Sequence, residues 1–200
     1  MYKVIGHPQS RTMRVLWLLE ELGLSYEVVP SKPHQEDVYA VNPSGKIPAL
    51  IVDGETIYDS TAICTYLADK HSGLTFPAGT LERARQDSFT NFALDEMDSI
   101  LWMSAKHSFI HPEDRRVPDI KPACRYEWTK SMKQLEKRLG ENTWVMGDTF
   151  TIADLIIGHC AIWAKLSKFE WPEGPVSEYF SRALARPALA RANEKASALQ

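Results

Sequence analysis

The sequence predicts a small α/β domain followed by an all-helical domain. In the first part of the chain, short apolar runs of strand length alternate with helical stripes. Gly73 to Thr80 then has the glycine, proline and threonine content of a linker, and long apolar stripes at helical spacing fill the rest of the chain. We place the α/β domain at residues 1–75, the linker at residues 76–83 and the all-helical domain at residues 84–200.

The chain begins with the pattern of a strand, a helix and a second strand. Tyr2 to Ile5 is a short apolar run, and a polar loop follows it at residues 6–10. A helical stripe comes next and ends at Gly23, which suits a left-handed helix cap; its members are Val15, Leu18, Leu19 and Leu22. Tyr26 to Val29 is the second strand. Such a crossover is right-handed and joins parallel strands.

The second half of this domain has the pattern of a hairpin followed by a helix. Ser31 to Ala40 is polar, and we expect a loop there with at most one or two helical turns. Ala49 to Val52 and Glu55 to Tyr58 flank Asp53-Gly54, a pair typical of a tight hairpin turn. Asp59 then suits a helix start. The order β-α-β followed by β-β-α is that of a thioredoxin-like domain.

Three long stripes predict the helices of the second domain. The first stripe contains Phe89, Ala93, Met97, Ile100 and Leu101. The second contains Cys124, Trp128, Met132, Leu135 and Leu139. The third, apolar on several sides and therefore central, contains Ile152, Leu155, Ile156, Ile162, Trp163 and Leu166. Thr151 and Asp154 have the spacing of a capping box at its start, and we interpret them as structural. Two shorter helices separated by Pro187 close the chain.

Composition narrows the classes of function. The chain has 200 residues, 44% hydrophobic and 24% charged, and its formal net charge of -3 gives no reason to expect a nucleic-acid partner. Cys64, Cys124 and Cys160 lack the spacing of metal ligands, so we expect buried, reduced thiols, no metal site and a cytoplasmic protein. No apolar run approaches the ~20 residues that span a membrane.

The hairpin and the helix after it have the features of a receptor for a short charged peptide. Pro48 is either a trans proline at a sheet edge or the second residue of a cis Ile47-Pro48 bond, which turns the Ile47 amide and carbonyl outward. An outward peptide unit can pair with an extended ligand. Asp59 offers a carboxylate to an ammonium group, and Ser60 offers a hydroxyl and an amide to a carboxylate. The other interpretation is an ordinary surface turn.

The segment resembles the glutathione-binding hairpin of the soluble glutathione S-transferases. Asn42-Pro43, Ile47-Pro48 and Asp59-Ser60 match that pattern in order and spacing, and the two-domain layout extends the resemblance over essentially the whole chain. The resemblance implies a thioredoxin-like glutathione-binding domain, a helical second domain, glutathione as co-substrate and a homodimer. Within the family it suggests a serine-type bacterial member, similar to the theta, zeta or nu classes.

Glutathione transferases hold the thiol of glutathione as a thiolate, which requires a hydrogen-bond donor in the loop before the first helix. This loop offers Gln9, Ser10 and Thr12, and it contains no tyrosine or cysteine. The missing cysteine argues against members that form a mixed disulfide with glutathione. Serine-type members often place the hydroxyl one position earlier, where this chain has Gln9. Ser10 is therefore either the thiol-activating residue or only the N-cap of the helix, and a backbone amide is a further alternative.

The remaining candidate residues would contact the glycine end of glutathione and the electrophile. Lys46 is the nearest cation in the matched motif for the glycine carboxylate of glutathione, and His34 is a second. The electrophile is expected against the first long helix of the second domain. Its candidate contacts, chosen by position only, are Trp102, Met103, Lys106, His107 and Phe109.

These observations predict a cytosolic transferase that directs the glutathione thiolate at a small hydrophobic electrophile. The attack is a substitution, an addition or a peroxide reduction, with thiol activation and positioning supplied by the protein. The alternative is a non-catalytic glutathione-binding or protein-interaction module on the same fold, which Gln9 supports. The sequence does not identify the electrophile.

Overall fold

A computed structural model describes residues 1–199, so Gln200, the last residue of the predicted helical domain, lies outside the described part of the chain. The described residues form two compact units: Met1–Pro77 together with the residues from Ala185 onward, and Ala78–Leu184. The elements of the first unit are β1 (Tyr2–Ile5), α1 (Met13–Glu21), β2 (Tyr26–Val29), α2 (Glu36–Tyr39), β3 (Ala49–Val52), β4 (Glu55–Tyr58), α3 (Ser60–Lys70) and α9 (Pro187–Ser197).

The first unit contains a mixed sheet of four strands in the order β2-β1-β3-β4. β1 pairs with β2 in parallel and with β3 in antiparallel orientation, and β3 pairs with β4 as an antiparallel hairpin. Asp53 and Gly54 form the turn of this hairpin, and both have a positive φ, of 53° and 86°. The predicted strands, the parallel crossover and the thioredoxin-like fold are confirmed.

The core of the first unit lies around α1. Val4 and Leu50 from the two central strands are fully buried, as are the consecutive α1 residues from Val15 to Leu19. A helix that packs on one side only would alternate buried and exposed residues. Here α1 packs against both α3 and α9, so no side of its middle turns faces water.

Ion pairs attach α9 to the end of α1. Arg186 donates two hydrogen bonds to the Glu21 carboxylate, at 2.5 and 2.7 Å. Glu20 is buried and accepts from Arg191 at 3.0 Å and from Lys195 at 2.5 Å. The last helix therefore packs with the first unit, whereas from the sequence we assigned it to the helical domain. The sequence did not reveal this packing, because charge partners that are far apart in the chain leave no trace in local periodicity.

The described regular elements of the second unit are helices, and two isolated β-bridges, Trp144 with Gly147 and Met146 with Thr149, lie in the loop before its central helix. The unit contains α4 (Leu81–Ala93), α5 (Ser99–Ala105), α6 (Ile120–Leu139), α7 (Ile152–Leu166) and α8 (Gly174–Leu184), together with π-helical turns at Leu94–Asp98 and Lys106–Ile110 and a short 3-10 helix at Glu113–Arg115. The predicted α6 stripe is buried throughout. The α7 stripe is buried except near its end, where Ile162 and Trp163 are half-buried and Leu166 is 78% exposed. None of the helices in residues 1–199 is both long and apolar enough to cross a membrane.

A capping box starts the central helix of the second unit, as predicted. The buried Asp154 carboxylate accepts from the Thr151 N–H at 2.8 Å, the Val145 N–H at 2.9 Å and the Tyr179 hydroxyl at 2.9 Å. Burial raises the pKa of the Asp154 carboxyl, and these donors oppose the rise. Asp154 therefore ties α7 to α8 and to the loop before α7, which is a structural role.

Glu20→Gln tests the attachment of α9 to α1. Burial raises the pKa of the Glu20 carboxyl, but hydrogen bonds outweigh burial and lower the pKa. In order of size, these bonds come from Lys195, from the Tyr26 hydroxyl at 2.8 Å and from Arg191. A depressed pKa means that the stabilisation is complete above the ordinary glutamate pKa of ~4.3 and is lost as pH falls through the lower folded value. We expect the substitution to reduce the free energy of unfolding by about 1–3 kcal/mol at neutral pH.

Denaturant unfolding measured between neutral and acid pH checks this expectation. Wild type and Glu20→Gln should converge in stability as pH falls through the folded-state pKa of Glu20. Glu27→Gln is the matched control, because Glu27 is more than half exposed at its side chain and lies 3.8 Å from Lys3. Equal losses for the two variants at neutral pH, or a Glu20→Gln deficit that persists in acid, would contradict the account.

Candidate active site

Strand pairing brings several connecting segments to one edge of the sheet. Ile5, the last residue of β1, pairs with Val29 in β2 and with Ala49 in β3. Ala49 in turn pairs with Tyr58, the last residue of β4. Three strands therefore end along this row, whereas β3 begins there. The segments that leave β1, β2 and β4 meet the segment that enters β3.

Pro48 stands at this edge, immediately before β3, and is buried. The Ile47-Pro48 bond is cis, so of the two proline geometries that the sequence left open, the structure has the cis one. The Ile47 side chain packs against the buried cluster of Ile5, Val38 and Ala49. Ile47 is therefore anchored by its side chain beside the ends of the strands.

Asn42 organises the turn that leads to Ile47. Its side chain is buried, donates from Nδ2 to the Lys46 carbonyl at 2.8 Å, and accepts at Oδ1 from the Ser44 N–H at 3.1 Å. These bonds close the turn across residues 42–46. The asparagine of the matched motif thus has a structural role, which sequence reasoning did not assign to it.

His34 and Lys46 are brought together by the same turn. The His34 N–H donates to the Gly45 carbonyl at 2.8 Å, and both His34 and Lys46 are exposed. His34 Nδ1 lies 2.9 Å from the Tyr39 hydroxyl, and the His34 backbone has a φ of 67°. Two groups able to meet an anion therefore border Gly45, although they are far apart in the sequence.

Asp59 caps α3. Its Oδ1 accepts from the Thr61 N–H at 2.8 Å and from the Ala62 N–H at 3.1 Å, so Oδ2 takes no part in the cap. The residue is exposed and has a φ of 76°, a strained conformation for a residue with a side chain. The predicted helix start is confirmed, and it places a carboxylate at the edge.

Ser60, the first residue of α3, is 3% exposed and lies over a buried arginine. Arg14 of α1 is 1% exposed, and its Nη1 donates to Ser60 Oγ at 3.3 Å. Sequence reasoning missed this contact. A signal was available, because Arg14 stands four residues before Leu18 and therefore on the apolar stripe of α1.

Ser10 has the bond of an N-cap together with further contacts in the loop. Its Oγ accepts from the Thr12 N–H at 3.1 Å and lies 2.9 Å from the Thr12 hydroxyl. The Ser10 hydroxyl also lies 2.6 Å from the His7 carbonyl, to which it donates. The cap uses a lone pair, whereas an activated thiolate needs the proton, so one hydroxyl can fill both roles. Gln9 is exposed, and Thr12 is fully buried against Gly6.

The cysteines of the chain are free and buried, as predicted. Burial raises the pKa of the Cys64 thiol to about 12, although the nearby Arg14 guanidinium opposes the rise. Cys64 therefore stays protonated at neutral pH and is not a nucleophile. Within residues 1–199, no three His, Cys, Asp or Glu side chains are grouped as metal ligands.

The candidate electrophile contacts lie in the second unit along α5 and the turn after it. Trp102 is half-buried, with its ring centroid 6.3 Å from that of Trp163. The His107 Nδ1 accepts from the Val117 N–H at 3.0 Å. Phe109 is 66% exposed. Met103 and Lys106 are half-buried.

Comparison with protein families identifies both parts of the chain. The model of the glutathione S-transferase N-terminal domain matches residues 10–70, and the model of the C-terminal domain matches residues 118–191. A probable glutathione S-transferase GSTF1 of Oryza sativa subsp. japonica is 31% identical over 167 residues, which cover 76% of each chain. The chain belongs to the glutathione S-transferase family.

Solved structures agree with this assignment. The glutathione transferase of Methylococcus capsulatus superposes with a TM-score of 0.84 at 26% identity, over 98% of this chain and 99% of that one. URE2P6 of Phanerochaete chrysosporium, solved in complex with oxidized glutathione, superposes with a TM-score of 0.83 at 26% identity, over 100% of this chain and 97% of that one. Both similarities extend through the two units.

Gly45→Ala tests the packing between the turn and the His34–Tyr39 pair. A Cβ at Gly45 meets His34 Nδ1 at 2.5 Å and the Tyr39 ring at 2.7 Å, and the φ of 66° adds about 1–2 kcal/mol of backbone cost. We expect a lower melting temperature and loss of the His34–Tyr39 hydrogen bond, seen as a shift of the His34 imidazole resonances by NMR.

Gly54→Ala is the matched control for this variant. Gly54 also has a positive φ, of 86°, but a Cβ there meets nothing within 4 Å. The control should therefore lose stability by backbone cost alone and leave the His34 resonances in place. Unchanged His34 resonances in Gly45→Ala would show that the turn does not position this pair.

Proposed function

We propose that the protein is a glutathione transferase that binds reduced glutathione at the sheet edge of its first unit and directs the thiolate at a small hydrophobic electrophile. Family membership supports the reaction class. The observation that supports this site is the pairing of Ile5, Ala49 and Tyr58 across neighbouring strands. This pairing brings the loop before α1, the cis proline and the start of α3 side by side. These three segments offer partners for the thiol, the backbone and the charged end of one extended tripeptide.

In the proposed complex the cysteinyl backbone of glutathione lies along Ile47, in the manner of strand addition. The γ-glutamyl end meets α3, where Ser60 and the helix N-terminus suit a carboxylate and the Asp59 carboxylate suits an ammonium group. The glycine carboxylate lies toward Lys46 and His34. The complex of URE2P6 with oxidized glutathione, a protein of the same family, supports a glutathione site on this fold.

In this proposal, the loop before α1 activates the thiol of glutathione. A free thiol has a pKa of roughly 8.5, and each unit of lowering requires about 1.4 kcal/mol. A hydroxyl that donates to the sulfur anion supplies about 1.5–3 kcal/mol, and a helix N-terminus supplies roughly 0.3–1 kcal/mol more. The sum of about 1.8–4 kcal/mol lowers the thiol pKa by about one to three units, so that a large part of the bound thiol is ionised near pH 7.

Ser10 is the proposed donor. Its hydroxyl turns from the His7 carbonyl to the sulfur and keeps the Thr12 N–H bond on its lone pair, so the helix start is undisturbed. The full burial of Thr12 supports Ser10 over Thr12. We propose that the protein is a serine-type member, similar to the theta, zeta or nu classes of bacteria. We also propose that it is a cytoplasmic homodimer that performs substitution, addition or peroxide reduction.

A second candidate is a non-catalytic glutathione-binding or protein-interaction module. Two observations favour it: Gln9 stands where serine-type members often place the hydroxyl, and the Ser10 hydroxyl already has a partner at 2.6 Å. Calorimetry with reduced glutathione, followed by turnover assays with an aromatic chloride and a hydroperoxide, separates the two. Binding without turnover on either substrate supports the module.

Ser10→Ala should lower turnover at pH 7 at least tenfold at saturating glutathione, because the thiolate loses its donor. The affinity for glutathione should change little, while the lost cap costs about 1 kcal/mol of stability. Steady-state kinetics and calorimetry provide the two measurements.

Ser10→Thr retains the hydroxyl and is the rescue control, and Ser197→Ala removes an exposed hydroxyl on α9, outside the proposed thiol site. Both should keep most of the wild-type turnover. Wild-type turnover in Ser10→Ala would transfer the role to Gln9 or to a backbone amide.

Lys46→Ala should weaken glutathione binding by about two- to fivefold, because an exposed ion pair in the upper part of the usual range is worth ~0.4–1 kcal/mol, and we expect that value for the pair with the glycine carboxylate. Calorimetry should show the effect with glutathione and not with its glycine ethyl ester. Lys32→Ala, another exposed lysine of the same unit, is the control. A change below about twofold would remove Lys46 from the site.

A further inference from the structure

A buried cation stands under the start of α3, where the proposed function requires a hydrogen-bond donor. Arg14 is 1% exposed and Ser60 is 3% exposed, and their contact joins α1 to α3 at 3.3 Å. Arginine is almost never fully buried unless it is paired, and Ser60 is one of the partners of Arg14. The contact lies at the sheet edge already described, one turn away from Cys64 on α3.

The chemistry of the pair fixes the direction of the Ser60 hydroxyl. A guanidinium has donors only, so Ser60 Oγ must accept the bond from Arg14. Because a lone pair of Oγ faces Arg14, the hydroxyl proton points elsewhere. Ser60 is thereby set up as a donor, and a donor at a helix N-terminus selects an anion over a cation.

The charge of Arg14 extends into the first turns of α3. It opposes the rise in the pKa of the Cys64 thiol, while Asp59 adds to that rise. A buried charge is screened less than a surface one, so its field favours an anion bound at the helix start. The carboxylate of Asp59 works in the opposite direction, which suits a ligand that carries both signs of charge.

We propose that Arg14 is a positioning residue that holds the Ser60 hydroxyl as the donor for the γ-glutamyl α-carboxylate of glutathione. This inference rests on the proposed function and adds a residue that acts through Ser60. Arg14 sets the affinity for glutathione, while the thiol chemistry takes place at the loop before α1. Substitution of Arg14 should therefore raise KM for glutathione and leave kcat nearly unchanged.

A double-mutant cycle with two ligands tests the inference. Calorimetry is performed on wild type, Arg14→Gln, Ser60→Ala and the double variant, with glutathione and with a decarboxylated analogue in which 4-aminobutyrate replaces the γ-glutamyl residue. We expect each single variant to bind glutathione about tenfold more weakly, the double variant to show no further loss, and the analogue to bind all four proteins equally.

Arg186→Met is the control for loosening of α1, because Arg186 donates a hydrogen bond to Glu21 at the other end of that helix. It should lower the melting temperature without changing the preference for glutathione over the analogue. Independent, additive losses in the cycle, or equal losses for the analogue, would overturn the inference. Failure of wild type to bind glutathione would instead overturn the proposed function.

If Arg14→Gln does not fold, Arg14→Lys and the wild-type complex still decide the matter. Lysine keeps the charge and can still donate a hydrogen bond to Ser60, so Arg14→Lys should bind glutathione more tightly than Ser60→Ala does. In a crystal structure of wild type with glutathione, Ser60 Oγ should contact the α-carboxylate and keep its hydrogen bond from Arg14. A carboxylate bound by Arg14 directly, or one remote from Ser60, would overturn the inference.

Discussion

The pairing of Ile5 with Ala49 is the interaction on which the site depends. It aligns the end of β1 with the start of β3, and the pairing of Ala49 with Tyr58 carries the alignment to the end of β4. A shift of one residue in this register would turn every side chain of the strand to the other face of the sheet. The cis proline and the capped start of α3 would also move by about 3.3 Å relative to the loop before α1.

Hydrogen bonds within the first unit hold the segments around this edge in place. Asn42 closes the turn before Ile47, Asp59 caps α3, and Arg14 links α1 to α3 through Ser60. At the far end of α1, carboxylates bound by α9 hold the helix in place. Because these segments are already held in place, the proposed binding of a flexible tripeptide would require little further ordering of the protein, and more of the contact energy would remain for affinity.

Local chemistry made most of the fold predictable. Asp53-Gly54 between two apolar runs defined the hairpin, and the motif at Ile47-Pro48 with Asp59-Ser60 identified the edge and the family resemblance. Contacts between distant residues were not predictable in this way. Arg14 and Ser60 are 46 positions apart, α9 reaches α1 through side-chain charges, and the roles of Ser10 depend on where its lone pair and proton point. Periodicity encodes which face of a helix is buried, not which partner covers it.

The distance between the glutathione sulfur and Ser10 Oγ, measured in a crystal structure with reduced glutathione, tests the central claim most directly. The account predicts that the cysteinyl backbone runs beside Ile47 and that the sulfur lies within hydrogen-bond distance of Ser10 Oγ, about 3–3.5 Å. A tripeptide bound away from this sheet edge would contradict the site itself. A sulfur that lies at the edge but turns away from Ser10 would contradict the proposed activation.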